Sequence, residues 1–324
     1  MKVYVNNVGA IVLEDKVVCD AYDRFRAYMI VTHAHYDHMI GLRKALRRRA
    51  KVITTPPTKD LIVALGKARS DEILSIDYGR YYHISEGKMK LIKANHILGS
   101  AQVIYEKDEV LIAYTGDFRQ PGTPIIEDPD ILIIEATYGN PSFVRPSLED
   151  IYNAFLRLVK RGLNAGRVNI FGYHGKIQEA MEVIRREIPD VPFLTSRRIY
   201  NLSKVAMKHG MKIGTVIPID SEEASEILRD GEYIVFYHSN YFRRIRQGVN
   251  ILLTGWNYKR VVRKISSRNF VVSLSGHADF KQLMEYVEIS KPRFLIIDKS
   301  RSLYASIFAK EVNRRLRVEA VPMP

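Results

Sequence analysis

The sequence predicts an α/β protein interrupted by a smaller α/β insertion, and three observations carry that prediction. Short β-branched runs alternate with helical stretches along the 324 residues. Six apolar runs each lead to a polar residue suited to chemistry. The middle third breaks this rhythm and reads as a strand–helix unit of its own. In chain order, YMIV precedes Thr32 and His33, KLIKA precedes His96, VLIAY leads to Asp117, and ILII leads to Glu135. FVVSL leads to His277, and FLII leads to Asp298. Six buried strands are therefore expected to deliver polar groups at their C-terminal ends, where sites in layered α/β folds collect.

In the middle third, Ser147-Leu-Glu-Asp150 has the form of a helix start, with the helix running to Lys160 before Gly162. VNIFGYHGKIQEAMEVIRR reads as strand, glycine turn, helix. Residues 199–209 read as a helix, 233–237 as a strand and 250–256 as another strand. Pro141 and Pro146 flank the start of this stretch, and the segment near Gly255 marks the return. The expected organisation is 1–140 and 256–324 as two parts of one domain, with 141–255 inserted between them.

Bulk properties exclude several classes. The chain is 46% hydrophobic, enough for a sizeable core, yet no apolar run approaches the ~20 residues that span a bilayer. The N-terminal MKVYVNNVGAIVLEDK lacks the features of a signal peptide, so a soluble, cytoplasmic protein without membrane association is expected. Cys19 is the sole cysteine, which excludes an internal disulfide and cysteine-based zinc sites. The formal charge of +14 and the pI of about 9.6 favour a polyanionic partner, nucleic acid before membrane. The cations cluster in RKALRRRAK (43–51), FRRIR (242–246) and YKRVVRK (258–264), and aromatics sit among several of them, which suits phosphate contact with base stacking. A solvated helix face is the bland alternative for Arg47, Arg48 and Arg49. The sequence leaves the oligomeric state open.

The segment THAHYDHMIGL carries His-x-His-x-Asp-His. Imidazole and carboxylate suit zinc and similar ions. Alternation places His33 and His35 on one side, able to reach one ion, while Asp37 and His38 follow at a turn and can face a second. His96 and Asp117, at later strand ends, look like the missing third histidine and a carboxylate shared by both ions.

The order HAHYDH, NHILGSAQ, TGDFR resembles the metallo-β-lactamase superfamily, and IIEATYG with SGHAD resembles its nucleic-acid branch, the β-CASP nucleases, from about Asp20 to Asp298. The resemblance implies an αββα sandwich with an inserted domain. It implies two divalent ions, zinc or manganese: one on His33, His35 and His96, the other on Asp37 and His38, with Asp117 bridging. Asp20 would orient the histidine segment. Glu135 would support His277, which would contact the scissile phosphate or protonate the leaving oxygen. RNA-processing members carry a later histidine ligand, whereas no histidine follows His277 here. Asp298 could substitute, or the second ion could bind weakly. DNA-processing relatives, resembling Artemis and the interstrand-crosslink repair nucleases, also lack that histidine, which tilts the expectation toward DNA and possible 5′ exonuclease action. Archaeal RNA-end-processing members often begin with RNA-binding modules, and this chain reaches its metal segment by residue 33.

Coordination can lower the pKa of water from about 15.7 toward about 7. Water activated between two ions would then attack phosphorus in line, with Asp117 fixing the spacing and His277 offsetting charge on the departing oxygen. Gly172, His174, Gly175 and Lys176, in FGYHGKIQE, suggest a phosphate seat at a helix N-terminus. Ser275 and Gly276 join this set, and Arg119 is expected to track the polyanion outside the cleft. Three other functions stay in view: a ribonuclease of mRNA-end processing or decay, a catalytically inactive nucleic-acid scaffold, and a small-molecule hydrolase.

Overall fold

Strands apolar on both faces need cover on both faces, and this dictates the layers of the larger unit. In the strand Val110–Tyr114, Ile112 and Tyr114 face one core while Ala113 faces another. Ile133 and Ile296 join the first core; Leu132, Ile134, Leu295 and Ile297 join the second.

The computed structural model describes residues 2–23 and 26–324. They form two units, Met1–Phe143 with Gly276–Pro324, and Val144–Ser275. The first unit holds two sheets. One has six strands in chain order: Tyr4–Val5, Ile11–Glu14, Val17–Cys19, Tyr28–Ile30, Lys51–Thr54 and Ile73–Ser75, parallel from the third onward. The other begins as the antiparallel meander Tyr82–Ile84, Gly87–Lys93, Ala101–Lys107 and Val110–Tyr114. It continues with the parallel strands Ile131–Ile134, Phe294–Asp298 and Ala320–Met323. Ile11, Leu13, Val17, Cys19, Ile30 and Ile53 of the first sheet share a core with Leu91, Val103, Tyr105 and Tyr114 of the second. Helices Phe280–Ser290 and Ala305–Leu316 cover the second sheet's other face. Helices Leu42–Arg47 and Pro56–Ala64 pack on Lys51–Thr54 and Ile73–Ser75. The order is helix, sheet, sheet, helix: the expected αββα sandwich.

Inside the helix-covered core, the fully buried Tyr286 hydroxyl donates to Gln102 Oε1 at 2.6 Å. Tyr286→Phe leaves that buried oxygen short of a donor, and a loss of about 1–3 kcal/mol is expected. A denaturant midpoint unchanged from wild type would contradict this.

The second unit is a seven-stranded sheet, parallel except at one edge. Its central strands are Tyr233–His238, Arg167–Gly172 and Val249–Leu253. The expected helices form at Leu148–Leu163, with Ser147 Oγ accepting from Asp150 N as N-cap, at Lys176–Glu187 and at Arg197–Lys208. Helix Glu222–Asp230 and strands Phe193–Thr195 and Val216–Pro218 were not among the expected elements.

The boundary expected near Gly255 differs. Strand Asn269–Val272 pairs in parallel with Val249–Leu253, so residues 256–275 fold with the inserted unit and the return comes at Gly276. The apolar run FVVSL therefore belongs to the inserted sheet. A linear reading sees the run and the histidine after it, but not which sheet the strand joins.

No helix among the described residues is long and apolar enough to cross a membrane.

Candidate metal centre

Four strands of the sandwich end on the expected residues. Thr32 and His33 follow Tyr28–Ile30, His96 follows Gly87–Lys93, Asp117 follows Val110–Tyr114, and Glu135 follows Ile131–Ile134. His33 Nε2 lies 3.1 Å from His35 Nδ1, which lies 3.0 Å from His96 Nε2. Asp117 Oδ2 lies 3.6 Å from His33 Nε2, 3.6 Å from His96 Nε2 and 3.3 Å from His38 Nε2. One ligand atom from each of His33, His35, His96 and Asp117 falls within 4.8 Å of the others. Donors about 2.0–2.1 Å from a tetrahedral zinc are about 3.3 Å apart, so this donor set fits a divalent ion in spacing and in chemistry.

The ring orientations have identifiable causes. Thr32 Oγ1 lies 3.1 Å from His33 Nδ1. Gly276 O lies 2.8 Å from His96 Nδ1, and a carbonyl only accepts, so that nitrogen carries the proton and Nε2 presents its lone pair to the cluster. Asp20 is fully buried; it accepts from Thr32 N at 2.8 Å, Thr32 Oγ1 at 2.7 Å and Tyr114 Oη at 2.9 Å. Its Oδ2 also lies 2.8 Å from His38 Nδ1. That contact turns His38 Nε2 toward the carboxylates of Asp117 and, at 3.6 Å, Asp37. His38 Nε2 is buried with no hydrogen-bond partner, a nitrogen orphaned beside two carboxylates, and this fits a second ion held by Asp37, His38 and Asp117. Asp20→Ala would strand a buried histidine and three donors, Thr32 N, Thr32 Oγ1 and Tyr114 Oη. A loss of about 3–5 kcal/mol in stability and about 10–100-fold in metal affinity is expected, measured by thermal unfolding and metal titration. A variant with wild-type metal affinity would show that Asp20 does not orient the site.

Electrostatics agree with a site built for cations. Burial, then the neighbouring His38, His96 and His35, hold His33 well below the ordinary histidine range, so it is a neutral ligand. Burial opposes charge on His38, but Asp117 and Asp20 outweigh it and raise its pKa to about 10. Burial also works against the Asp117 carboxylate, yet His38 and His277 keep it ionised, well below the usual carboxylate range. Buried anions here call for positive charge. Cys19, beside Asp20, is buried and its thiol is pushed well above its usual pKa by burial and then by Asp20, so it stays an unreactive thiol.

Glu135 and His277 are brought together: Glu135 Oε2 lies 2.9 Å from His277 Nδ1, and Glu135 Oε1 accepts from Phe118 N at 2.9 Å. His277 Nδ1 is 3.7 Å from Asp117 Oδ2, at the rim of the cluster, and its side chain is 19% exposed. Asp117, Glu135 and His277 also offer ligand atoms within 4.8 Å of one another.

Several expectations are corrected. Asp298, expected as a candidate ligand, is instead engaged by protein groups: its Oδ2 takes Arg301 Nη1 at 2.7 Å and its Oδ1 takes Ser300 N and Oγ. A strand-end carboxylate reads the same in sequence whether its partner is an ion or an arginine three residues on. Arg119 is only 9% exposed and so is not the surface cation expected. Gly276 is needed for close approach: a Cβ there would sit 2.8 Å from His96 Nδ1 and 3.1 Å from His96 O. Ser275, which precedes it, is buried. Gly172, His174, Gly175 and Lys176 lie at the turn between Arg167–Gly172 and Lys176–Glu187 in the inserted unit. There the Gly175 N–H already donates to Gln178 Oε1 at 2.8 Å, which removes one donor from the expected phosphate seat. Arg47, Arg48 and Arg49 are exposed, as a basic solvated face requires. Sequence reasoning missed Tyr114, although it stands directly before TGDFR, and Arg301, which lies in no recognisable motif.

No family model matches the chain. The chain is 26% identical over 360 aligned positions to an RNase J-like protein of Methanocaldococcus jannaschii, covering 90% of this chain and 85% of that one. It is 25% identical to the DNA cross-link repair protein SNM1 of Arabidopsis thaliana, over 86% of this chain and 60% of SNM1's own length. A crystal structure of a protein of unknown function from Enterococcus faecalis V583 superposes with a TM-score of 0.58 at 14% identity, over 86% of this chain and 76% of that one, and shows the shared fold.

Proposed function

The chain belongs to the β-CASP family of the metallo-β-lactamase superfamily, and from that premise we propose that it is a metal-dependent phosphodiesterase that hydrolyses nucleic acid. One observation carries the reading: four buried ligand atoms from His33, His35, His96 and Asp117 converge within 4.8 Å. The intact donor set speaks against an inactive scaffold, and the charge of +14 speaks against a small-molecule hydrolase. His33, His35, His96 and Asp117 would hold one divalent ion, and Asp37, His38 and Asp117 a second, zinc for preference and manganese as the alternative. When bound, such ions supply Lewis acidity to a phosphodiester and to water. The chain's own contribution is geometric and protonic. Asp20 and the Gly276 carbonyl hold His38 and His96 in the ligating tautomer. Glu135 orients His277 through its Nδ1, so that His277 is placed to deliver a proton to the leaving oxygen.

DNA is the favoured polymer because no histidine follows His277, and digestion from a 5′ end is the polarity to test first. RNA is the second reading, supported by the RNase J-like relative matched over most of both chains. A cytoplasmic setting fits both. The test is cleavage of 5′- and 3′-labelled DNA and RNA with zinc or manganese. Faster release of 5′ label from DNA supports the favoured reading; faster cleavage of RNA transfers the conclusion to RNA; no cleavage of either with ions bound sinks the nuclease reading.

The exposed basic runs are expected to grip phosphates by releasing counterions. With about four phosphate contacts, affinity should drop about a hundredfold between 50 and 200 mM salt. Fluorescence anisotropy reads this, and a flat salt response would mean that these cations are merely solvated.

A further inference from the structure

We propose that Arg301 is the positioning residue of the second-ion site, clamping the backbone that carries Asp37 to the backbone of Asp20; the inference rests on the two-ion reading above. Arg301 Nη2 donates to Asp20 O at 3.1 Å and to Asp37 O at 3.2 Å, and Nε donates to Asp37 O at 3.3 Å. Those carbonyls lie 281 and 264 residues away in the chain. A guanidinium presents five N–H groups in a rigid planar fork, so one side chain can fix two separate segments at once. Asp298 anchors the fork from its far side at 2.7 Å, and both partners are nearly buried, 11% and 4% exposed. The anchoring carboxylate also neutralises the guanidinium, so the clamp gives geometry without adding net charge beside a cation site.

The two clamped residues are the ones on which the second ion depends. Asp37 sits on the short turn Tyr36–His38, and its carboxylate is 58% exposed, unlike the buried ligands of the first ion. Its backbone carbonyl is where Arg301 restrains it. Asp20 is the residue that holds His38 Nδ1, and it does so from a left-handed backbone conformation, φ 60°, one that few residues other than glycine, asparagine and aspartate adopt readily. The loop bearing Arg301 is closed in on another side by Gly9, where a Cβ would come 2.9 Å from Ser300 Oγ and 3.5 Å from Arg301 Nη2. Arg301 acts through Asp37 and Asp20 rather than on an ion.

The test is metal binding by the full chain, with zinc counted by mass spectrometry and cobalt affinity followed by visible absorption. Wild type is expected to take two ions. Arg301→Met is expected to keep the ion of His33, His35 and His96 at wild-type affinity and to weaken the second about 10–100-fold. Arg301→Lys, with one ammonium in place of a fork, should recover only part of that loss. If Arg301→Met does not fold, Asp298→Asn, which keeps the shape and loosens the anchor, should show the same selective loss. Two ions bound by either folded variant at unchanged affinity would overturn the role of Arg301 and leave the two-ion reading standing. A wild-type protein that binds one ion or none would overturn both.

Discussion

Asp117→Asn should reduce nucleic-acid cleavage by about a thousandfold or more, ~4 kcal/mol of transition-state stabilisation, while the protein stays folded. Asp117 Oδ2 lies within 3.3–3.7 Å of nitrogens on His38, His33, His96 and His277, so both proposed ion sites and the proposed general acid meet at this one oxygen. Asparagine keeps the volume but removes the charge and replaces one oxygen with a donor that no cation will accept. Since the carboxylate sits at the C-terminal end of the Val110–Tyr114 strand and not inside a core cluster, the sheet has no reason to move. The measurement is kcat/KM on labelled DNA and RNA, with circular dichroism as the fold control. Activity within tenfold of wild type would remove Asp117 from the metal centre.

His277→Ala should cost about 10²–10⁴-fold in kcat, the range for losing a positioned general acid, and the loss should depend on the leaving group. A nucleotide leaving through an alkoxide needs a proton; a p-nitrophenolate hardly does. Hydrolysis of a p-nitrophenyl phosphodiester should therefore suffer far less than hydrolysis of DNA. Equal losses on both would mean that His277 binds phosphate or serves as a ligand, as its place beside Asp117 and Glu135 would also allow. Glu135→Gln should follow the same leaving-group pattern with a smaller loss, because it acts only through the 2.9 Å contact to His277 Nδ1.

The parts of the fold legible in sequence were those written along the chain. Strands that end on His33, His96, Asp117 and Glu135 announce themselves as apolar runs with a polar stop, and these residues do meet. The helix from Ser147 was legible from its cap. Pairing was not. The run before His277 reads as one more strand of the sandwich, yet its hydrogen bonds go to Val249–Leu253 in the inserted sheet. Partners far apart in sequence were equally hidden. Asp298 looked like an ion ligand because a carboxylate at a strand end is ambiguous, and Arg301 looked like any surface arginine in a chain carrying 50 lysines and arginines. Only the folded chain brings that guanidinium against carbonyls more than 260 residues away. Gly276 likewise read as a phosphate cradle, whereas its lack of a side chain lets its carbonyl approach His96.

The central claim is that His33, His35, His96 and Asp117 grip a divalent ion. Crystals grown with zinc and measured at its absorption edge test it most directly. The account predicts an anomalous peak about 2.0–2.2 Å from His33 Nε2, His35 Nδ1, His96 Nε2 and an Asp117 oxygen. A protein that shows no peak within reach of these four atoms, with zinc bound elsewhere or not at all, would contradict it.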